Sequence, residues 1–155
     1  MSTDKTLQLS SASFEETEKL GEAIGRQLKG GEVIELTSDL GGGKTTFVRG
    51  LARGMGSSDK VASPTFTVSK QYTAGDLRLV HYDFYRLHDP GLLQYELAEF
   101  IDDSKIITVV EWADIVHDVL PANRFTLSIK STGDTSRQIT AHVPTSLAYL
   151  LSEVS

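Results

Sequence analysis

A glycine-rich segment between an apolar run and a helix-like run has the residue types and spacing of a chemical site. It reads Ser38-Asp39-Leu40-Gly41-Gly42-Gly43-Lys44-Thr45-Thr46 and follows Val33–Leu36. Consecutive glycines let backbone N–H groups surround phosphate oxygens without Cβ clashes, and the helix that follows adds the positive end of its dipole. Lys44 can reach the outer phosphates, and the Thr45 hydroxyl is placed to hold Mg²⁺. The segment therefore predicts a site for a nucleoside triphosphate.

One residue of this segment departs from the usual phosphate-loop pattern. Ser38 stands where the first glycine is expected. A serine at positive φ would cost roughly 1–2 kcal/mol, a cost that disappears if the residue is extended. We expect Ser38 to be extended and the site to be intact.

Two acidic residues each end a β-rich run and could complete this site. Asp83 ends Leu77–Tyr82, and Glu111 ends the continuous apolar run Ile106–Val110. Hydrolysis needs oxygen ligands for Mg²⁺ and a group that orients water, and such acids lie at the carboxyl ends of strands beside the phosphate loop. Either acid alone could be an ordinary solvated strand end. The pair favours a functional role, and Glu111 is the more similar to a Walker B acid.

Aromatic and basic residues surround these acids in the sequence. Tyr82, Phe84 and Leu87 are typical of an edge strand whose side chains pack on the core. The charges of Asp83 and Arg86 would need partners if buried. Trp112 directly follows Glu111. It could therefore lie near the site, or it could be an ordinary core residue.

The composition sets the broad class of protein. The 155 residues carry a net charge of −6, 39% hydrophobic residues and no cysteine. A chain of this length can bury a core as one domain, residues 1–155, and the missing thiols exclude disulfides and cysteine-based metal sites. The acidic balance argues against a large nucleic-acid footprint of its own. Without an apolar spanning run or a signal-peptide pattern, we expect a cytoplasmic protein.

Strand and helix patterns alternate along the chain and predict an α/β fold. We expect a central, mostly parallel sheet with antiparallel edge strands and helices on both faces, the three-layer P-loop NTPase arrangement. Ser13 and Glu16 form a capping box for a helix that runs to Gly30-Gly31. Asp89-Pro90 predicts the start of another helix with Leu92 on its apolar side. The remaining segments are predicted as a strand at Thr6–Leu9, a helix from Lys44 to Gly56, hairpins at 65–83 and 125–143, and short helices at 113–120 and 146–154.

Together the motifs resemble those of the TsaE (formerly YjeE) family, small bacterial ATPases needed to make threonylcarbamoyladenosine in tRNA. The resemblance covers about Ser13 to Arg137. Its markers are the phosphate loop from Asp39 to Phe47, Ser63-Pro64-Thr65-Phe66, His81-x-Asp83-x-Tyr85-Arg86-Leu87 and Val110-Glu111-Trp112. The loop alone is common to a vast superfamily, whereas the last two motifs are far more specific.

The resemblance implies a set of site residues and partners. ATP would be bound with Mg²⁺ on Thr45 and Glu111 and with Lys44 on the phosphates, while Asp83 supports hydrolysis. Trp112, Ser13 and Arg137 would contact the nucleotide together with the loop residues Asp39, Leu40, Gly41, Gly42, Gly43 and Thr46. A switch or partner-coupling segment would comprise Ser63, Pro64, Thr65, Phe66, Tyr85 and Arg86. The resemblance further implies weak ATPase activity and work with TsaD and TsaB, with tRNA contacted only through that complex. TsaE would not itself transfer the threonylcarbamoyl group.

The sequence argues against two other functions on the same scaffold and leaves a third open. A small-molecule kinase usually needs an arginine-rich lid, and no arginine cluster follows Lys44. A signalling GTPase usually has an Asn-Lys-x-Asp motif, but Asn123, the only asparagine, precedes Arg124. A nucleotide-gated binding module without hydrolysis would use the same residues but would not need Asp83 to act. This alternative function stays open.

Overall fold

A single seven-stranded sheet organises the chain in the computed structural model, which describes residues 4–38, 43–61, 68–85 and 87–154. The strands are β1 (Lys5–Ser11), β2 (Val33–Ser38), β3 (Ser69–Ala74), β4 (Leu77–Asp83), β5 (Ile106–Glu111), β6 (Phe125–Ser131) and β7 (Arg137–Val143). Their order in the sheet is β1-β7-β6-β2-β5-β4-β3. The helices are α1 (Phe14–Gly25), α2 (Lys44–Gly54) and α3 (Leu93–Ile101), with 3₁₀ helices at Ala113–Val116 and Thr145–Leu151.

The centre of the sheet is parallel and its margins are antiparallel. Strand β2 pairs in parallel with β5 and β6, and β4 pairs in parallel with β5. The hairpins β3–β4 and β6–β7 and the pairing of β1 with β7 are antiparallel. Every residue of β5 is buried, as a strand covered on both faces requires. The predicted fold class is confirmed.

Two apolar cores lie on opposite faces of the sheet. One contains Ile24 of α1, Phe47 and Leu51 of α2, and alternate residues of β2 and β5. The other contains Leu97 of α3, Tyr82 and the remaining apolar residues of β5. Because side chains alternate along a strand, the α2 face of β4 and β5 also carries His81, Asp83 and Glu111. No helix in the described ranges is long and apolar enough to cross a membrane.

Helices α1 and α2 pack with their backbones in close contact through glycines. A Cβ on Gly21 would lie 2.3 Å from the Phe47 carbonyl oxygen, and one on Gly50 would lie 2.1 Å from that of Glu18. Gly25 and Gly54 have contacts of 2.3 and 2.2 Å in the same arrangement. This packing holds α2, and with it the end of the phosphate loop, against α1.

Several predicted boundaries differ from the structure for local reasons. The predicted N-cap is confirmed, with Ser13 Oγ accepting the Glu16 amide, but the Glu16 carboxylate accepts the amide of Ala12 rather than that of Ser13. Helix α1 nevertheless ends at Gly25, because the buried Glu32 carboxylate accepts the amides of Lys29 and Gly30 and so holds the chain in a turn. The predicted end at Gly30-Gly31 is therefore wrong.

The predicted start of α3 at Asp89-Pro90 is also wrong. The Asp89 carboxylate accepts the amide of Gly91, whose φ is +54°, so the chain makes a turn and the helix begins only at Leu93. Leu92, predicted on the apolar side, is 83% exposed. The predicted helices at 113–120 and 146–154 are the shorter 3₁₀ helices Ala113–Val116 and Thr145–Leu151. Strand β4 is internal, because β3 forms the edge beyond it.

Candidate functional site

Gly43, Lys44, Thr45 and Thr46 lie where strand β2 leads into helix α2. Gly43 caps the helix with φ +97°, a conformation that favours glycine, and its carbonyl accepts the Phe47 amide. Lys44, Thr45 and Thr46 form the first turn of α2 and are half-buried. Asp39, Leu40, Gly41 and Gly42 lie outside the described residues.

Ser38 lies on the strand side of this junction. It is the last residue of β2 and pairs with Ile129 of β6. Among the described residues, Trp112 is the one non-glycine with positive φ, so Ser38 carries no left-handed strain. The expected extended conformation at this position is confirmed.

The two strand-end acids lie next to each other. Asp83 of β4 and Glu111 of β5 are register partners in the parallel pairing, and Leu36 of β2 is the partner of Glu111 on its other side. Sheet order therefore places Glu111 on the strand beside β2, which leads into the phosphate loop, and Asp83 one strand further away. The two acids thus lie together at adjacent strand ends, and their shared role in one crevice stays a prediction.

Glu111 is the most strongly held group of the cluster. Its carboxylate is 4% exposed, with Oε1 3.0 Å from Lys44 Nζ and Oε2 hydrogen-bonded to His81 Nε2. Burial opposes ionisation of Glu111, but the hydrogen bond from His81 and the nearby charges lower its pKa below the ordinary value. The carboxylate is thus kept ionised in a buried position.

Asp83 shows the opposite tendency. Burial, followed by the charge of Glu111, raises the pKa of its carboxyl group, although Lys44 and the amide of Tyr85 act against the increase. Its Oδ1 accepts that Tyr85 amide at 3.0 Å. Neighbouring carboxyl groups with pKa values moved in opposite directions are typical of acid–base sites.

Two aromatic residues in contact with each other lie at this cluster, and one of them is beside Lys44. The ring centroids of Tyr85 and Trp112 are 4.9 Å apart, and Lys44 Nζ lies 5.5 Å from the Trp112 ring centroid. Trp112 has φ +56° and is 40% exposed. The structure thus brings Trp112 to the rim of the cluster rather than into the core. Arg86 and the segment Ser63, Pro64, Thr65 and Phe66 lie outside the described residues.

Arg137 and Ser13 lie on the other side of the loop, toward β7 and β1. Arg137 is buried and donates to the carbonyl oxygens of Gly133 and Ser136, at 3.2 and 2.8 Å. A Cβ on Gly43 would lie 3.3 Å from Arg137 Nε. The guanidinium carbon lies 5.3 Å from the centroid of Phe14, which follows Ser13 at the start of α1. Ser13 and Arg137 are therefore close to the loop end, on the side away from the acids.

His81 is the site residue to which sequence reasoning gave no role. Its side chain is 1% exposed and contacts Glu111 directly. Its place two residues before Asp83 on one strand puts both side chains on the same face, which is a readable signal. The contact with Glu111 depends on the pairing of β4 with β5, which no local pattern gives.

The donors near Gly43 are hydroxyl and carboxylate oxygens, which is the ligand type that Mg²⁺ prefers. Thr45 and Glu111 fit such an ion by their chemistry. Nowhere in the described part of the chain, this site included, does a group of three or more acidic, histidine or cysteine residues lie in an arrangement that could hold a metal.

Comparison with known proteins gives consistent relatives. The family model "Threonylcarbamoyl adenosine biosynthesis protein TsaE" matches residues 11–139. The tRNA threonylcarbamoyladenosine biosynthesis protein TsaE of Bacillus subtilis is 39% identical over 136 residues, covering 88% of this chain and 85% of the relative. That of Aquifex aeolicus is 42% identical over 104 residues, covering 66% and 73%. The crystal structure of Bacillus subtilis YdiB has a TM-score of 0.78 and 36% identity, covering 97% of this chain and 95% of YdiB.

Proposed function

The chain belongs to the TsaE family, and from this premise we propose that it is the ATP-binding, weakly ATP-hydrolysing subunit in the synthesis of tRNA threonylcarbamoyladenosine. It would serve formation of the modified base at adenosine 37 of tRNAs that read ANN codons. It would act in the cytoplasm with TsaD and TsaB to drive or reset the transferase cycle, without transferring the threonylcarbamoyl group itself. Contact with tRNA would come through that complex.

The observation that carries the proposal is the cluster of Lys44, Asp83 and Glu111 at the start of α2. Lys44 and Glu111 form a buried ion pair at 3.0 Å, and Asp83 is the register partner of Glu111. Taking two charges out of water is costly, so a buried ion pair gives little net stabilisation and is better explained by a function. A triphosphate offers Lys44 a stronger anionic partner, so nucleotide binding would draw the ammonium from Glu111 Oε1 and free that oxygen.

Mg²⁺ would be held by the Thr45 hydroxyl and Glu111. The ion would supply positive charge opposite the charge that develops on the phosphates. Lys44 would bind the outer phosphates. Asp83 would either accept a proton from the attacking water or orient that water through a hydrogen bond. The Tyr85 amide, donating to Asp83 Oδ1, fixes the direction of that carboxylate.

Ser13, Arg137 and Trp112 would bind the remainder of the nucleotide. Arg137 lies against Gly43 on the side of the loop opposite the acids. A nucleotide with its terminal phosphate toward Glu111 would therefore extend toward Arg137 and the start of α1. Tyr85, which contacts Trp112, together with Arg86 and residues 63–66, would couple this state to the partners.

The test is hydrolysis of ATP by the purified protein, alone and with TsaD, TsaB and tRNA. We expect slow, Mg²⁺-dependent turnover alone and faster turnover with the assembled set. Asp83→Asn separates hydrolysis from simple binding, because it should lower turnover while Mg·ADP still binds. Unchanged turnover in that variant would favour a water-orienting group other than Asp83. No turnover under any condition, with tight nucleotide binding, would favour a nucleotide-gated binding module instead.

A further inference from the structure

His81 is a buried polar side chain inside the sheet, between apolar core residues and the Glu111 carboxylate. It lies on β4 opposite Val109 of β5, and its side chain is 1% exposed. Its face of the sheet is the one covered by α2, where Val109 and Leu79 belong to the apolar core. A histidine in this position has lost its water and needs a specific reason to be there.

The hydrogen-bond pattern shows which nitrogen carries the hydrogen. An ionised carboxylate only accepts, so Nε2 donates to Glu111 Oε2. The other nitrogen, Nδ1, is buried without a hydrogen-bond partner in the described part of the chain. An N–H at that position would have no acceptor there, which is the more costly arrangement. Among the described residues, a hydrogen on Nε2 alone fits these contacts, and it is directed at Glu111.

The two oxygens of Glu111 consequently have different partners. His81 holds Oε2 from inside the sheet, whereas Lys44 approaches Oε1 from the phosphate loop at 3.0 Å. Because Lys44 and His81 hold different oxygens, departure of Lys44 from Oε1 does not itself break the hydrogen bond at Oε2. A glutamate has several rotatable bonds, and a partner that remains in place keeps its free oxygen aimed in one direction.

We propose that His81 is a positioning residue that holds Glu111 through Oε2, so that Oε1 alone is exchanged between Lys44 and Mg²⁺. This inference rests on the proposed function, because it concerns the same metal and nucleotide. It adds a role for a residue that touches neither, acting only through Glu111. The arrangement corresponds to the outer partners that orient metal ligands in other proteins.

Two isosteric substitutions test the direction of the hydrogen bond. The amide nitrogen of glutamine can occupy the place of Nε2, whereas that of asparagine corresponds to Nδ1. The Kd for ADP is measured by calorimetry, in EDTA and in MgCl₂, for the wild type, His81→Gln and His81→Asn. The effect of Mg²⁺ is the Kd in EDTA divided by the Kd in MgCl₂. We expect this ratio to stay within about threefold of the wild-type ratio in His81→Gln. In His81→Asn it should fall by about tenfold or more.

The outcomes separate this inference from the proposed function. If Mg²⁺ strengthens ADP binding to the wild type and His81→Asn keeps the full ratio, His81 does not position Glu111, although the proposed function stands. Equal losses in both variants would mean that His81 acts by packing, which also overturns the inference. If Mg²⁺ does not change the Kd for ADP in the wild type, the proposed metal site and this inference are both wrong.

A spectroscopic measurement needs neither nucleotide nor metal, and it does not depend on the folding of the asparagine variant. Long-range ¹H–¹⁵N spectra of the free wild type distinguish the two neutral ring forms of each of its four histidines. The signal missing from His81→Gln identifies His81. We expect hydrogen on Nε2 only, and a hydrogen on Nδ1 would overturn the assignment.

Discussion

Asp83 and Glu111 end neighbouring parallel strands as register partners, and their carboxyl groups have pKa values moved in opposite directions. Glu111 has two cationic or hydrogen-bonding partners, Lys44 and His81. Asp83 Oδ1 accepts the backbone amide of Tyr85, and the charge of Glu111 contributes to raising the pKa of Asp83. One edge of the sheet therefore holds a carboxylate that is stabilised as an ion next to one that is not.

The first prediction is that Asp83→Asn stabilises the metal-free protein at neutral pH. The folded state raises the pKa of Asp83 above its ordinary value of 3.8, so ionised Asp83 opposes folding above that pH. Below it the carboxyl group is protonated in both states and the effect vanishes. Asparagine can still accept the Tyr85 amide. We expect Tm to increase by roughly 1–3 °C at pH 7 in EDTA and the increase to disappear near pH 3.

Asp76→Asn is the matched control for this prediction. Asp76 lies in the exposed turn between β3 and β4, and its substitution makes the same change in net charge. Thermal unfolding followed by circular dichroism should show no comparable increase in Tm for this variant. A lower Tm for Asp83→Asn at pH 7 would contradict the prediction.

The second prediction concerns Lys44. Lys44→Met removes a charged donor to the phosphates, and we expect the Kd for Mg·ATP to increase by about tenfold to a hundredfold. Arg49→Met removes the same charge from an exposed position on the same helix and should change Kd by less than about twofold. Calorimetric titration of both variants measures this difference. Equal Kd values for the two would argue against phosphate binding by Lys44.

The third prediction concerns the contact between α1 and α2. A Cβ on Gly50 would lie 2.1 Å from the Glu18 carbonyl oxygen and 2.9 Å from the Glu22 amide nitrogen, so the two helices would have to separate. We expect Gly50→Ala to lower the free energy of unfolding by about 1–3 kcal/mol, even though alanine is the better helix former. Urea unfolding followed by circular dichroism measures it. Arg49→Ala, at the exposed neighbouring position, should remain close to wild type.

Much of the architecture could be predicted because the relevant signals are local. The apolar run of β5 identifies a strand buried on both faces, and Asp83 and Glu111 mark the strand ends that meet at the site. The helix N-cap at Ser13 is likewise readable from four residues. These elements depend on alternation, spacing and short-range hydrogen bonds.

The remaining features depend on contacts between distant residues or on competing side chains. His81 meets Glu111 only because β4 pairs with β5 in one register. The early end of α1 depends on Glu32, whose carboxylate accepts hydrogen bonds from two backbone amides. The same carboxylate accepts the hydroxyl of Tyr149, which is more than a hundred residues away in the sequence. At Asp89, a side-chain turn to Gly91 competes with helix capping by the same residue. Spacing alone does not decide between such arrangements.

The last prediction separates the two sides of the phosphate loop. Arg137 lies against Gly43, away from Glu111, so its loss should weaken nucleotide binding without altering the contribution of the metal. We expect Arg137→Met to increase the Kd for ADP by about tenfold, by the same factor in EDTA and in MgCl₂. His81→Asn should change mainly the Mg²⁺ effect. Because Arg137 also orders the β6–β7 turn through the carbonyls of Gly133 and Ser136, the Tm of each variant is measured alongside. A selective loss of the Mg²⁺ effect in Arg137→Met would contradict this division, since it would place the guanidinium and the metal on the same side of the loop.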